Sequence, residues 1–156
     1  MADEKLNMKG HITFTHIRNG EVIDVREIDN AIMNVGKAEM AGLMLTDIGG
    51  TAFDYIAIGT GTGGDATATT LVTESTTNGG ERRGGEDVDG TRVTTTVTND
   101  TAQLVTTFAF TDAIAITESG IFNAAENGTM LARQTFDVIN VNDGDTLQLT
   151  WKIQFS

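Results

Sequence analysis

The segment DTLQLTWKIQF, residues 145–155, alternates strictly between apolar and polar side chains. A period of two residues is typical of a β-strand with one buried face and one solvated face. The segment therefore predicts a strand of an antiparallel sheet that packs on the hydrophobic core. The residues assigned to the core face are Leu147, Leu149, Trp151, Ile153 and Phe155, and those assigned to the solvated face are Gln148, Thr150, Lys152 and Gln154.

The segments before it also favour strands, because they are rich in threonine and β-branched residues. Asn99-Asp100, Gly128 and Asp143-Gly144 supply turns between them. The predicted strands are TRVTTTVTN (91–99), AQLVTTFAF (102–110), AIAITESGIFN (113–123) and TMLARQTFDVINV (129–141).

The N-terminal part predicts a β-hairpin, and a further strand follows later. HITFTHIRNGEVIDVREID, residues 11–29, has Asn19-Gly20 at its centre. This dipeptide is a strong hairpin signal because both central residues of a type I′ turn need a positive φ. FDYIAI, residues 53–58, reads as a strand.

One helix is predicted, over DNAIMNVGKAEMAGLML, residues 29–45, with Asp29 or Asn30 as its cap and DIGG (47–50) at its end. Gly36 and Gly42 weaken a helix and can mark close packing on a sheet or a neighbouring chain. The expected buried stripe is Ile32, Val35, Met40, Leu43 and Met44.

Together these elements predict a mainly β fold, an antiparallel β-sandwich or jelly-roll-like domain with one packed α-helix near the N-terminus. We expect a flexible N-terminal arm over residues 1–9 and a single β-rich domain over residues 10–156. Residues 59–90 are rich in glycine, threonine and acidic residues and predict a long loop. Within it, TLVTE (70–74) is the segment able to anchor the loop.

The composition restricts the partners. The chain has 156 residues, no cysteine and a net charge of −12, which disfavours nucleic acid and anionic membranes as partners. The first residues lack the apolar core of a signal peptide, and no apolar run is long enough to cross a membrane. We therefore expect the protein to stay in the cytoplasm where it is made, or to be assembled there into something larger.

The segment IAIGTGTGGDAT, residues 56–67, raises the question of a nucleotide site, because Gly59, Gly61 and Gly64 fit the G-x-G-x-x-G spacing. A dinucleotide site needs a helix directly after the glycine turn, and here the predicted helix precedes the strand. Asp65 would repel phosphate, and no Gly-Lys-Ser/Thr follows. We therefore expect a mobile loop between strands.

Other candidate sites are weak. EDVDG (86–90) and NVNDGD (140–145) offer oxygen ligands of the kind that calcium prefers, but acidic turn chemistry explains both, and the two interpretations stay open. His11 and His16 are predicted to lie on opposite faces of one strand, where they cannot jointly hold a metal ion, and they are expected to be solvated or to lie at an edge of the sheet. ERRGG (81–85) reads as a solvated patch, or as one that pairs with acidic residues of a partner chain.

Catalysis is not expected. The serines are Ser75, Ser119 and Ser156, and none lies in a G-x-S-x-G motif. Carboxylates such as Asp112 and Glu118 are common by chance in an acidic chain. We assign no catalytic, cofactor-binding or metal-binding residue.

Several segments resemble a family of small structural proteins of tailed bacteriophages, some described as tail-fibre proteins and some similar to capsid decoration (cement) proteins. The segments are NAIMNVG (30–36), IAIGTGT (56–62), ITESGIFNA (116–124), GTMLARQTF (128–136) and DTLQLTWKIQF (145–155). The resemblance covers roughly residues 10–155, although 75–90 is not distinctive, and its motifs concern sheet packing and turns.

The resemblance implies a virion protein made in the host bacterial cytoplasm. As a decoration protein it would bind the outer surface of the major capsid protein and stabilise the head, as a homotrimer whose arm and 59–90 loop order on binding. The alternative is a tail adaptor or tail-fibre component that contacts other tail proteins or the host surface, although the chain lacks the repeats of a fibre shaft. A third reading, an enzyme or a carbohydrate binder, has few aromatic residues to support it, and Trp151 is expected in the core.

Overall fold

The computed structural model describes residues 5–45 and 50–156, and these are mainly β. They contain one α-helix, α1, and one short 3-10 turn at Gly85–Asp87. The prediction of a mainly β chain with one helix is confirmed. The elements are β1 Met8–Arg18, β2 Glu21–Ile32, α1 Asn34–Leu43, β3 Tyr55–Gly59, β4 Arg83–Gly84, β5 Asp89–Val93, β6 Thr101–Ala109, β7 Ile114–Phe122, β8 Met130–Val141 and β9 Thr146–Phe155.

The described strands form one curled antiparallel sheet in the order β4-β3-β7-β8-β2-β1-β9-β6-β5. Strand β2 pairs with β1 along its length, but it pairs with β8 only through Ala31 and Ile32. This short joint divides the sheet into a first half, β2-β1-β9-β6-β5, and a second half, β8-β7-β3-β4.

Both halves contribute to one hydrophobic core. The core face predicted for β9 is confirmed, since Leu147, Leu149, Trp151 and Ile153 are buried and Phe155 is half-buried. The buried cluster joins these side chains of the first half to side chains of the second half. Its members include Ile12, Phe14, Ile56, Ile58, Phe108, Ile116, Ile121, Ile139, Leu147, Leu149, Trp151 and Ile153.

The predicted hairpin is confirmed. Asn19 and Gly20 have φ values of 51° and 76°, as a type I′ turn requires. Strand β1 begins at Met8, inside the arm predicted for residues 1–9, because Met8 pairs with Phe155 at the end of β9. Residues 1–4 of the predicted arm lie outside the described residues.

The predicted start of the helix is wrong. Residues 29–32 are the end of β2, where Asn30 pairs with Gly10 and Ala31 with Arg133, so Asp29 and Asn30 cannot cap α1. The helix begins at Asn34, and its cap residue, Met33, makes no side-chain hydrogen bond. DIGG, predicted to end the helix, lies outside the described residues except for Gly50.

The packing predicted for the helix is partly confirmed. Val35 and Met40 are half-buried, whereas Leu43 and Met44 are exposed. Gly36 does mark close packing on the sheet, because a Cβ atom there would lie 2.5 Å from Cα of Leu131.

Two segments differ from their predicted form. Within 59–90, Leu71 is buried, as expected for an anchor, and the segment also contains β4, the 3-10 turn and the start of β5. The strand predicted for 91–99 ends at Val93. The chain turns there because the carboxylate of Asp100 accepts hydrogen bonds from the amides of residues 95–97, at 2.8–3.0 Å.

Candidate functional site

The glycine-rich motif lies over a buried carboxylate of the same chain. Glu118 is fully buried on β7. It accepts hydrogen bonds from the amides of Gly61 at 3.1 Å, Val72 at 3.0 Å and Thr73 at 2.7 Å. The guanidinium of Arg133 on β8 completes the cluster with an ion pair of 2.7 Å. We call these five residues the Glu118 cluster.

The charge of Glu118 is stabilised internally. Burial by itself raises the pKa of this carboxyl, but the amides of Thr73 and Val72 and the guanidinium of Arg133 outweigh burial, so the pKa lies below its ordinary value. The backbone also approaches closely, since a Cβ atom at Gly61 would lie 2.5 Å from Oε1 of Glu118. Of the motif's amides, that of Gly61 is thus directed at a side-chain carboxylate, and together with the amides of Val72 and Thr73 it holds the loop on the sheet.

A second buried carboxylate organises the turn between β8 and β9. Asp145 is 2% exposed and accepts hydrogen bonds from Nε2 of His16 at 2.8 Å, from the Arg18 guanidinium at 2.8 and 2.9 Å, and from the Asn142 amide at 2.9 Å. The Arg18 hydrogen bonds are the main reason that the pKa of Asp145 lies well below its usual range.

At Asp145 these contacts are those of the turn interpretation of residues 140–145, because this carboxylate is bound by the Arg18 guanidinium, by His16 and by a backbone amide. The arrangement also corrects the expectation for one histidine. His16 is buried, whereas His11 is half-buried and lies 3.0 Å from the exposed Asp29.

The basic doublet at residues 82–83 is not a solvated patch. Arg82 forms a bidentate ion pair with Glu74, in which its Nε and Nη2 atoms donate to the two carboxylate oxygens at 2.8 and 2.7 Å. It also donates to the carbonyl oxygen of Ala124 at 2.8 Å. Its guanidinium lies 3.8 Å from the centre of the Phe122 ring. Arg82 therefore fastens the 59–90 segment to the second half of the sheet.

The remaining candidate residues are not brought together. Ser119 is buried, and its hydroxyl donates to the carbonyl oxygen of Ala57 at 2.8 Å. Asp112 and the acidic side chains of residues 86–89 are exposed. Within residues 5–45 and 50–156, no three histidine or carboxylate side chains lie close enough to share a metal ion. In the same part of the chain, no helix combines the length and the hydropathy needed to cross a membrane.

The outward face of three neighbouring strands forms the most distinctive surface of the described chain. Strands β1, β9 and β6 pair side by side, and each contributes five outward positions. We call this surface the threonine face. It consists of Lys9, His11, Thr13, Thr15 and Ile17 of β1, Thr146, Gln148, Thr150, Lys152 and Gln154 of β9, and Thr101, Gln103, Val105, Thr107 and Ala109 of β6. Thr101 occupies an outward position but is itself buried, and its hydroxyl is hydrogen-bonded to the side chains of Thr95 and Asp100.

The threonine face carries no carboxylate, although the chain has 22 aspartate and glutamate residues. Among the described residues, acidic side chains lie at its margins, Glu27 and Asp29 on β2, Asp89 on β5 and Asp100 in the turn before β6. Asp29 lies 3.0 Å from His11, and Asp100 accepts a hydrogen bond from Gln154 at 3.1 Å. The threonine face thus has two lysines and a histidine on an otherwise acidic molecule. The alternation of β9 was predicted from the sequence, but this surface was not, because the surface depends on which strands are neighbours.

Comparison with protein-family models, with curated proteins and with solved structures gave no match to this chain. The functional argument therefore depends on the geometry of its own residues.

Proposed function

We propose that this chain is a structural protein of a tailed-bacteriophage virion and that it decorates the capsid, docking on the outer surface of the major capsid protein. The observation that carries the proposal is the threonine face. A protein with a net charge of −12 is repelled by acidic surfaces, and a face without carboxylates removes that repulsion where contact is made. Threonine and glutamine side chains supply the hydrogen-bond donors and acceptors of a polar interface.

The proposal includes a finer description of the fold. The two halves of the curled sheet are the layers of a β-sandwich, joined where β2 meets β8. The shared core supports this description, since buried side chains of both halves belong to one cluster. A sandwich of this kind would be a rigid platform for the threonine face, and a homotrimer would repeat that face on the capsid.

The buried ionic groups also support a structural role. Glu118, Asp145 and Arg82 are each occupied by several bonds within the chain. Such groups hold segments in place, and here they hold the 59–90 loop and the β8–β9 turn. We therefore assign docking to the preformed threonine face and not to a loop that orders on contact.

The location can be tested by immunogold electron microscopy of virions of the phage that encodes this chain, with an antibody against the chain. Decoration predicts label over the whole head. Label confined to the tail would overturn decoration and favour the alternative, a tail adaptor or tail-fibre component. Absence of label on intact and on detergent-opened particles would overturn both.

The docking surface can be tested with a charge introduced into the threonine face. Gln148 and Thr107 are exposed neighbours on β9 and β6. We expect Gln148→Glu combined with Thr107→Glu to weaken co-sedimentation with undecorated capsids by about tenfold or more, because each adds a carboxylate to the contact. Thr69→Glu combined with Thr70→Glu, in the exposed loop, adds the same charge and should bind as the native chain does. Equal binding by both folded variants would contradict docking through this face.

A further inference from the structure

A cavity of about 480 Å³ opens on the side of the molecule opposite to the threonine face. It lies between α1, residues 52–54 and the inner side of β5, β6 and β9. Its walls are predominantly apolar, and the side chains that matter most are Met40, Phe53, Leu104, Ile153 and Phe155. This volume lies within the range of about 300–1,000 Å³ that small-molecule sites occupy.

One buried donor at this cavity has no acceptor. Trp151 lines the cavity and is fully buried, and its indole N–H has no hydrogen-bond partner in the described part of the chain. Buried tryptophan N–H groups usually find a partner, because an unmade hydrogen bond costs about 1–3 kcal/mol. The indole nitrogen has almost no accessible surface, so an oxygen atom of a bound molecule would satisfy this donor once the cavity lining shifts to admit it.

The mouth of the cavity carries charge. Arg92 on β5 lines it and is exposed, and among the described residues it forms no ion pair. Asp54 and Gln103 also line the cavity. Arg92 favours an anionic group on the β5 side of the mouth, and Asp54 disfavours one on the side of residues 52–54.

We propose that this cavity binds a small amphipathic carboxylate, with its apolar part against Met40, Phe53 and Leu104. The carboxylate lies within reach of Arg92, and Trp151 donates to an oxygen atom of the ligand. The two parts of the ligand follow from the lining. An apolar chain fills the space between the apolar walls, and an oxygen acceptor satisfies the buried donor. Gln103 lines the cavity and also belongs to the threonine face, but none of the residues assigned to the ligand does, so failure of this site would leave the proposed docking intact.

Trp151 is the only tryptophan of the chain, so its fluorescence reports on the cavity directly. The probes are 1-anilinonaphthalene-8-sulfonate, which accepts excitation energy from tryptophan, and decanoate, which should displace it. We expect saturable energy transfer from Trp151 at one dye per chain, and its loss on addition of decanoate below its micelle concentration. Absence of saturable transfer, together with no heat of decanoate binding by calorimetry, would overturn the proposal.

Matched variants locate the site. Ala102 is exposed and lines the cavity, whereas Ala109 lies on the same strand but on the threonine face. Ala102→Phe should fill the mouth and weaken decanoate binding by about tenfold or more, and Ala109→Phe should leave it unchanged. If Ala102→Phe does not fold, as judged by circular dichroism, Ala52→Phe fills the same mouth from the opposite wall. Unchanged binding in a folded mouth variant would overturn the proposal.

The chemical class is tested by two further substitutions. Arg92→Gln should weaken binding of decanoate by about threefold or more and leave binding of decanol unchanged, because only the former carries a charge. Trp151→Phe, measured by calorimetry, should weaken binding of both, because both ligands carry an oxygen acceptor. Equal effects of Arg92→Gln on the two ligands would contradict the assignment of a carboxylate.

Discussion

At the scale of single residues, the Glu118 cluster makes the sharpest prediction. Glu118→Gln leaves the Arg133 guanidinium, itself 4% exposed, without its counter-charge. We expect the free energy of unfolding to fall by about 3–5 kcal/mol, as is usual when one partner of a buried ion pair is removed. Urea denaturation followed by circular dichroism measures this, with Glu126→Gln at an exposed site as the control. A loss no larger than that of the control would mean that the cluster does not hold the loop.

Asp145 predicts a pH dependence of stability. Because its pKa is lowered in the folded state, mainly by Arg18, the unfolded chain binds a proton at this group at a higher pH than the folded chain does. The resulting stabilisation is complete above the unfolded pKa of about 3.9 and is lost as the pH falls through the lower, folded pKa. We therefore expect the free energy of unfolding of Asp145→Asn to lie well below that of the native chain near neutral pH, and the difference between the two to shrink in acid.

The measurement is a series of urea titrations from about pH 7 down to about pH 3, which brackets the unfolded pKa. Asp143→Asn, at an exposed position of the same turn, is the control. Its free energy of unfolding should change with pH in the same way as that of the native chain. A gap between the native chain and Asp145→Asn that stays constant with pH would contradict the role given to this carboxylate.

Residue identity alone could not assign these roles. Glu118 and Asp145 are two of many carboxylates in an acidic sequence, and their partners Arg133 and His16 are 15 and 129 residues away along the chain. A weak signal did exist for Glu118. It is the one charged residue of AIAITESGIFN, a predicted strand with few other polar side chains, so it needed a partner.

At the scale of secondary-structure elements, substitution of Gly36 in α1 by alanine sets the stabilising effect of helix propensity against the destabilising effect of close packing. Glycine-to-alanine substitution in an exposed helix position stabilises by about 1 kcal/mol. At Gly36 the added Cβ would lie 2.5 Å from Cα of Leu131, which belongs to the sheet backbone. We therefore expect Gly36→Ala to lower the midpoint of thermal unfolding, because the helix would have to move off β8.

The control for this substitution is Ala38→Gly, at an exposed position of α1, where only propensity acts. It should destabilise by about 1 kcal/mol. If Gly36→Ala raised the midpoint, propensity would outweigh packing, and the contact between α1 and β8 would be looser than the geometry requires.

The elements with strong local signals were predictable, and those decided by pairing were not. Asn19-Gly20 and the alternation of β9 fixed the hairpin and the last strand. The end of β2 was misread as helix, because DNAIMNVG carries apolar residues at spacings that suit both periods. Its pairing with β1 and β8 decided the outcome, and pairing partners are not visible in a local window.

At the scale of the whole molecule, strand order creates the surfaces that matter. The threonine face exists because β1, β9 and β6 are neighbours although they come from distant parts of the chain. The cavity exists because α1 and the inner side of β5 and β6 leave space over Trp151. Composition predicted an acidic molecule with no evident chemistry, but only the register of the strands separates a face without carboxylates from the rest of the surface.

The joint between the two halves of the sheet makes the last prediction. Beyond Ala31 and Ile32, β2 and β8 no longer pair, and the guanidinium of Arg26 on β2 instead donates to the carbonyl oxygens of Asp137 and Val138 on β8, the latter at 3.1 Å. Arg26→Lys keeps the charge but loses the two-pronged geometry. We expect amide hydrogen exchange to become about fivefold faster in β2 and in the second part of β8, which corresponds to the loss of about 1 kcal/mol, while β9 keeps its protection. Arg92→Lys, at an exposed arginine away from the joint, should leave exchange unchanged. Equal acceleration in β9 would mean that the sheet opens as one unit, and that Arg26 stabilises the fold as a whole and not the joint between its halves.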